Sequence, residues 1–214
     1  PELSSLSKSN NAIETARLSL GAIANLAEDI DTHSCMKQAH ILSSVLIGLG
    51  HQENDIKREA ARATSNLLSS QDFHAEVLEH GLENLIQISA ISCDECHYLT
   101  ALSFRKLSPT LASHHTLVNN GLQNILALTK VADKMTRVHA ATSIRDLSAS
   151  DGIDKANFFK HGTIAAMLEL VKDNEKDLQI IAIATLRHLS PSKHIRDDFS
   201  SSVMVKSVVR CLSW

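Results

Sequence analysis

The stretch "SFRKLSP" at residues 103–109 has two near copies further along the chain, "SIRDLSA" at 143–149 and "TLRHLSP" at 185–191. Their central arginines are 145 − 105 = 40 and 187 − 145 = 42 residues apart. Alignment on the leucine after each arginine adds two weaker copies, "AIANLAE" at 22–28 and "TSNLLSS" at 64–70. Self-similarity at one fixed spacing indicates a repeat protein with units of about 40 residues.

A second mark repeats with the same period. Glycine opens three similar apolar stretches, "GLENLIQI" at Gly81, "GLQNILAL" at Gly121 and "GTIAAMLEL" at Gly162. These glycines are 121 − 81 = 40 and 162 − 121 = 41 residues apart. Because glycine tolerates a positive φ, we expect each one to form a tight break between a short helix and the apolar helix that follows it.

The longest helix of each unit is expected to end near the repeated leucine, which we call the anchor leucine (Leu26, Leu67, Leu107, Leu147 and Leu189). In the second copy this helix runs from about Asp55 to Leu68. Counted from the residue before the anchor leucine as position zero, apolar or small residues recur at +1, −2, −5 and −6, which is one face of a helix. Pro109 and Pro191 cannot continue a helix. The other long helices are expected to begin near Glu14, Asp94, Lys134 and Lys176.

Composition predicts a helical protein and gives no sign of nucleic-acid binding. Of the 214 residues, 43% are apolar and 21% are charged, and seven glycines and three prolines are few turn formers. The net charge of −3 provides no basic cluster, and no apolar run is long enough to span a membrane. Four scattered cysteines do not form a disulfide scaffold, so we expect a reducing, cytoplasmic setting. Because the chain opens at Pro1, we expect a piece of a longer protein, and a lipid anchor upstream stays open.

The combined pattern resembles the armadillo repeat family, in particular its vacuolar protein 8 and catenin-like members. "KREAARATSNLLSS" at 57–70 is similar to the third helix of an armadillo repeat, and "HGTIAAMLELV" at 161–171 is similar to the helix before it. The resemblance implies an all-α, right-handed solenoid of three-helix repeats of about 40–42 residues. Its units would be a partial repeat at 1–28, complete repeats at about 29–69, 70–109 and 110–150, then 151–191, and a partial repeat at 192–214.

The resemblance also implies a binding surface. Armadillo proteins line a concave groove with their long third helices, and an asparagine at position zero clamps the backbone of an extended peptide beside a tryptophan four residues earlier. Here asparagine stands at position zero in two copies and tryptophan at position −4 in none, which argues against a groove of the importin-α type. The candidate contact residues are Asn25, Arg62, Asn66, Arg105, Lys106, Arg145, Asp146, Arg187 and His188.

Arg105, Arg145 and Arg187 allow two interpretations. They stand at position −1, about 100° around the helix from position zero, and would flank the groove. As a ladder together with Arg62 and Lys106, they would grip the carboxylates or phosphates of an acidic partner. Alternatively, each arginine offsets the dipole at the end of its helix, which contributes about 0.3–1 kcal/mol. We favour this second interpretation, because acidic residues near the starts of these helices would offset the opposite end of the same dipole.

Position −7 is the other position on this face of the long helices. It is occupied by Leu18, Glu59, Leu99, His139 and Ile181. These side chains either line a partly apolar groove, which would favour a protein partner, or pack against the next long helix. The sequence supports the two interpretations equally.

No motif predicts catalysis, a cofactor or a metal. "CDECH" at 93–97 copies the C-x-x-C-H of haem attachment, but it stands at the start of a long helix and lacks a secretion signal. A zinc site at the same residues lacks a fourth ligand at a usual spacing, so we expect structural thiols. The sequence therefore predicts a non-catalytic scaffold for protein–protein interaction. The alternative is a purely structural segment of a large assembly, for example a cytoskeletal or axonemal one.

Overall fold

The computed structural model describes the backbone of residues 2–191 and the side chains of residues 10–191. This part of the chain consists of helices joined by short turns and contains no strand, which confirms the all-α prediction. The predicted partial repeat at 192–214, with Cys211, lies outside the described residues. The chain divides into two compact units, Pro1–Lys106 and Leu107–Trp214.

The first unit contains seven α-helices within the described residues. α1 and α4 lie side by side, and α3 packs against α4. Leu20, Val45 and Ile56 contribute buried side chains to this core from α1, α3 and α4, respectively. The helices are α1 (Glu2–Leu26), α2 (His33–Gln38), α3 (Ile41–Leu49), α4 (Asn54–Leu67), α5 (His74–His80), α6 (Leu82–Ile88) and α7 (Asp94–Leu107).

The second unit repeats this arrangement. α10 and α13 lie side by side, α9 packs against α10, and α12 packs against α13. Ile144, Phe158 and Met167 are fully buried in its core. Its described helices are α8 (Leu111–Thr116), α9 (Leu122–Leu128), α10 (Lys134–Ser148), α11 (Lys155–Lys160), α12 (Thr163–Val171) and α13 (Lys176–Leu189).

The long helices α4, α7, α10 and α13 match the predicted starts and ends to within one residue. The residues at positions −2, −5 and −6 of α4 are buried, as are those of α10, and so is the anchor leucine of both helices. α7 and α13 end at Leu107 and Leu189, two residues before Pro109 and Pro191. The small residues at −5 and −6, alanine at most of these places, let neighbouring helices pack closely.

The predicted start of α1 was wrong. This helix begins at Glu2 rather than near Glu14, and so has 25 residues. The segment before Glu14 contains neither glycine nor proline within the helix, so no residue in it breaks a helix. Glu14 is therefore in the middle of a helix and cannot offset its N-terminal dipole. It instead forms an ion pair with Arg17 at 2.7 Å.

The repeat glycines serve different purposes. Gly162 has the expected positive φ of 74°, but Gly81 and Gly121 have φ of −113° and −109°, so the prediction was wrong for those two. At Gly81 the reason for glycine is space, because an added Cβ would lie 2.7 Å from Cδ2 of Leu46. Gly121 ends a π-helical turn at Leu117–Gly121.

His40 stands 81 − 40 = 41 residues before Gly81, at the glycine position of its own repeat. It has a positive φ of 51°, the left-handed conformation that costs a non-glycine residue roughly 1–2 kcal/mol. Its ring makes no hydrogen bond to any residue with a described side chain.

Replacing His40 with glycine should therefore raise the free energy of unfolding by about 0.5–1 kcal/mol, because the relief of backbone strain exceeds the extra chain entropy of glycine. His40→Ala is the matched control, since it removes the same ring but keeps the strain. Chemical denaturation of the three proteins measures the difference. An unchanged or lower midpoint for His40→Gly would contradict the prediction.

Candidate partner-binding site

Arg62 connects two neighbouring long helices in the first unit. Its Nη1 donates to Oδ1 of Asn25 at 2.8 Å, and its Nη2 donates to the carbonyl oxygen of Gly21 at 3.3 Å. Its Nε and Nη2 also donate to Oε2 of Glu59, at 3.1 and 2.9 Å. Two of the predicted contact residues, Arg62 and Asn25, are thus brought together, and both contribute to the packing of α4 on α1.

Asn66 and Lys106 cap the preceding long helix. Nδ2 of Asn66 donates to the carbonyl oxygen of Ala24 at 2.9 Å. Nζ of Lys106 donates to the carbonyl oxygen of Ser65 and to Oγ of Ser69. Burial, and then the charge of Arg105, lower the pKa of Lys106. Both side chains therefore satisfy carbonyl groups that the end of a helix leaves without an intrahelical partner.

Asp146 and His188 occupy the same position in the second unit and contact the equivalent place. Oγ of Ser108 lies 3.4 Å from Oδ2 of Asp146, and Oγ of Ser148 lies 3.4 Å from Nδ1 of His188. Position zero thus contacts residues near the anchor leucine of the preceding repeat, through carbonyl oxygens for Asn66 and Lys106 and through serine hydroxyls for Asp146 and His188. A single sequence does not show this shared role, because asparagine, lysine, aspartate and histidine differ in charge and length.

The three arginines at position −1 have different surroundings. Arg105 and Arg187 are exposed, whereas Arg145 is half-buried. Nε and Nη2 of Arg145 donate to Oδ1 of the adjacent Asp146 at 3.0 and 2.7 Å. The guanidinium of Arg187 has no ion-pair or hydrogen-bond partner among the residues whose side chains are described. The arginine ladder stays a prediction, and Arg187 is its most available member in the second unit.

Position −7 packs between helices in most copies. Leu99, His139 and Ile181 are buried, and only Leu18 of α1 is exposed among these positions. This supports packing against a neighbouring long helix over a groove lining. The exposed apolar side chains lie at other positions, with Ile180 (−8) 65% exposed and Met135 (−11) 47% exposed. The sequence analysis did not identify these two residues.

In the first unit these two positions are mostly charged, and Tyr98 at −8 of α7 is the exception. Arg58 at −8 contacts Asp55 at −11 of its own helix at 2.7 Å and Glu95 at −11 of α7 at 3.3 Å. Burial opposes the charge of Arg58, but the two carboxylates outweigh it and raise its pKa. The accessible side of the long helices is thus polar and internally paired in the first unit and partly apolar in the second.

Four buried or half-buried side chains cap the long helices at a regular spacing that the sequence analysis missed. Nε2 of His33, His74 and His114 lies 2.9, 3.0 and 2.7 Å from the carbonyl oxygens of Ala27, Leu68 and Ser108. Nζ of Lys155 donates to the carbonyl oxygen of Ser148. Because a carbonyl only accepts, each Nε2 carries the proton. The four residues are 41, 40 and 41 residues apart by subtraction.

The cysteines of "CDECH" have no catalytic geometry. Cys96 is buried and Cys93 is half-buried, so the predicted structural role fits the first better than the second. Burial, together with a hydrogen bond with Cys93, raises the pKa of Cys96 to about 12, which makes its thiol unreactive near neutral pH. Among the residues with described side chains, no group of three His, Cys, Asp or Glu could hold a metal ion.

Solved structures with similar architecture establish the fold. A computationally designed armadillo repeat protein for modular peptide recognition has a TM-score of 0.82 and 14% identity, covering 89% of this chain and 83% of that chain. A designed armadillo repeat protein in complex with the peptide (KR)4 has a TM-score of 0.79 and 14% identity, covering 95% and 87%. The chain has the armadillo-repeat fold.

An engineered protein is similar in the same way, with a TM-score of 0.81 and 16% identity over 94% of this chain and 83% of that one. No protein-family model matches the sequence, and no curated protein matches it. None of the described helices of this armadillo fold is long and apolar enough to cross a membrane.

Proposed function

We propose that this chain is a non-catalytic scaffold that binds an extended segment of a partner protein along the accessible side of its long helices. The fold neighbours support a peptide-binding repeat, since one was designed for peptide recognition and another was solved with a bound peptide. The site would use the nine candidate contact residues, with Arg105 and Arg187 as the exposed cations. An acidic partner fits those two charges.

The observation that carries this proposal is the preformed arrangement of the long helices. Asn66, Lys106, Asp146 and His188 each contact residues near the anchor leucine of the preceding repeat. The neighbouring side chains of Arg105 and Arg187 are exposed to solvent. A surface whose side chains are already ordered loses little conformational entropy on binding, so each repeat can add a few contacts to a long ligand.

Three finer parts belong to this proposal. We place the chain with the vacuolar protein 8 and catenin-like armadillo proteins and not with the importin-α type, because tryptophan is absent from position −4 in all five copies. We propose an adaptor that works in the cytoplasm, on the basis of the scattered cysteines. We propose no enzymatic activity, because no described group combines a nucleophile or metal ligand set with a catalytic base.

Photo-cross-linking tests the proposed surface. A benzophenone-bearing peptide, selected from a random library on the immobilised chain, should form adducts on α4, α7, α10 or α13, and mass spectrometry locates them. Arg62→Ala and Asn66→Ala should each weaken the binding of peptides that cross-link to α4. Adducts confined to α3, α6, α9 or α12 would contradict the proposed site.

A second candidate function is a structural segment that is packed on several sides within a large assembly. The exposed apolar side chains outside the long helices favour it, namely Ile47 and Leu111, which are both 75% exposed. Isolated exposed apolar residues are common in monomeric proteins, so we rank this function second. Cross-links spread over both the long and the short helices would support it.

A further inference from the structure

Cys93 and Cys96 stand at the start of α7 with the Cys-x-x-Cys spacing. The carbonyl oxygen of Cys93 accepts the backbone N–H of His97 at 3.0 Å, so Cys93 closes the first hydrogen-bonded turn of the helix. Residues three apart on a helix have their Cα atoms about 5 Å apart and their side chains on one face. A disulfide needs a Cα separation of roughly 4.4–6.8 Å. The backbone at this turn therefore permits a bond between the two cysteines.

The two thiols are in contact and differ in burial. Sγ of Cys96 donates a hydrogen bond to Sγ of Cys93. Cys96 is buried, whereas Cys93 is half-buried, so a reagent from solvent reaches Cys93 first. An accessible cysteine next to a second, resolving cysteine is the arrangement found at redox-sensitive sites in proteins.

Charges of both signs surround this turn. Asp94 is exposed, and the side chain of Glu95 is 54% exposed. Arg58 of α4 pairs with Glu95 at 3.3 Å and with Asp55 at 2.7 Å. His97 has a buried Nδ1 without a hydrogen-bond partner among the residues whose side chains are described. An uncharged reagent is the one whose approach these groups affect least.

We propose that Cys93 and Cys96 form a reversible disulfide by exchange with a small-molecule disulfide. Sγ of Cys93, as the thiolate, attacks one sulfur of the reagent, whose S–S bond breaks, and the released thiolate takes up a proton. Sγ of Cys96 then gives up its proton and attacks Sγ of Cys93, and the second half of the reagent leaves as a thiol. The two cysteines lose two electrons and two protons in all, and the reagent gains them.

The high pKa of Cys96 is compatible with this order of attack. Burial raises the pKa of Cys96 most, followed by the hydrogen bond with Cys93 and then by the charge of Cys93. The mixed disulfide at Cys93 is uncharged at its sulfur, so that charge is gone before Cys96 reacts. Cys96 is also already in contact with the sulfur that it attacks, and such proximity raises the rate of an intramolecular reaction by orders of magnitude.

Mass spectrometry after treatment with hydroxyethyl disulfide, an uncharged probe, tests the pair. In the unmodified chain, the peptide that contains both cysteines should lose two hydrogens and carry no probe. In Cys96→Ser, Cys93 should keep one half of the probe. That adduct should reach less than about a tenth of this level in the unmodified chain, because Cys96 displaces it. In Cys93→Ser, Cys96 should stay a free thiol because it is buried.

Cys35 of α2 is the internal control, because its thiol is exposed. It should carry one half of the probe in every variant, which shows that the reagent is active, and dithiothreitol should restore all the thiols. Circular dichroism checks that the variants fold, and Cys96→Ala gives the same measurement if the serine variant does not.

Three outcomes would overturn the inference. The first is two free thiols at Cys93 and Cys96 when Cys35 is fully modified. The second is a probe adduct at Cys93 that is as abundant in the unmodified chain as in Cys96→Ser. The third is a disulfide from Cys93 to a cysteine other than Cys96. The proposed scaffold function depends on none of these results, because the oxidation of this pair does not require a bound peptide.

Discussion

His114→Ala should lower the free energy of unfolding by about 2–4 kcal/mol, the largest effect that we expect from a single polar substitution in this chain. The substitution removes the Nε2–H that donates to the carbonyl oxygen of Ser108 at 2.7 Å, at the end of a long helix. That carbonyl then loses its partner, and the buried imidazole leaves a cavity. Urea denaturation followed by circular dichroism measures the loss.

Two controls separate the loss of the hydrogen bond to Ser108 from an unspecific effect of mutating this helix. His115 is the next residue and is exposed, so His115→Ala should change the stability by less than about 0.5 kcal/mol. His114→Gln keeps an N–H donor on a side chain of similar reach and should recover at least half of the loss. If glutamine is as damaging as alanine, the hydrogen bond to Ser108 is not the source of the effect.

The long helices could be predicted from the sequence, whereas the caps at their ends could not. The long helices were predictable because burial at −2, −5 and −6 depends only on helical periodicity, as Ala60 and Ala61 show. The caps at His33, His74 and His114 recur at the repeat period too, but lysine replaces histidine at residue 155. Which carbonyl such a side chain reaches depends on the turn between two helices, and a residue pattern does not specify that turn.

For the candidate site, too, the sequence predicted some features and missed others. The sequence predicted that position zero would face a partner, and this stays a prediction. It did not show that Asn66 and Lys106 would reach back to the preceding helix, because this depends on the distance between helices. It also favoured Ile181 as an exposed residue as much as a buried one, whereas Ile180 is the exposed residue. Adjacent residues of a helix point about 100° apart, so a modest rotation of the helix decides whether Ile180 or Ile181 is exposed.

The second large effect concerns the ion pair between Arg137 and Asp173, which joins α10 to the turn before α13. Its side chains are only 20% and 16% exposed. A double-mutant cycle with Arg137→Ala and Asp173→Ala should give a coupling energy of about 2–3 kcal/mol, because either single substitution leaves a poorly solvated charge without its partner.

The pair Lys134–Glu175 is the matched control, since it joins α10 to the same turn but its side chains are 45% and 40% exposed. Its cycle should give a coupling within the error of the measurement, because water screens both charges. Equal coupling in the two cycles would contradict the argument that burial, and not the joining of repeats, sets the strength of these ion pairs.

The pH dependence of the Arg137–Asp173 coupling follows from the ionisation of Asp173. Burial opposes ionisation of Asp173, but hydrogen bonds from the backbone N–H of Glu175 and from Arg137 outweigh it and lower its pKa. A carboxylate with a lowered pKa stabilises the native state fully above its unfolded pKa of about 4, and this contribution is lost as the pH falls through the lower native value. The Arg137–Asp173 coupling should thus be equal at pH 7 and pH 5 and decline below about pH 4. A coupling that disappears between pH 7 and pH 5 would require a group other than this carboxylate.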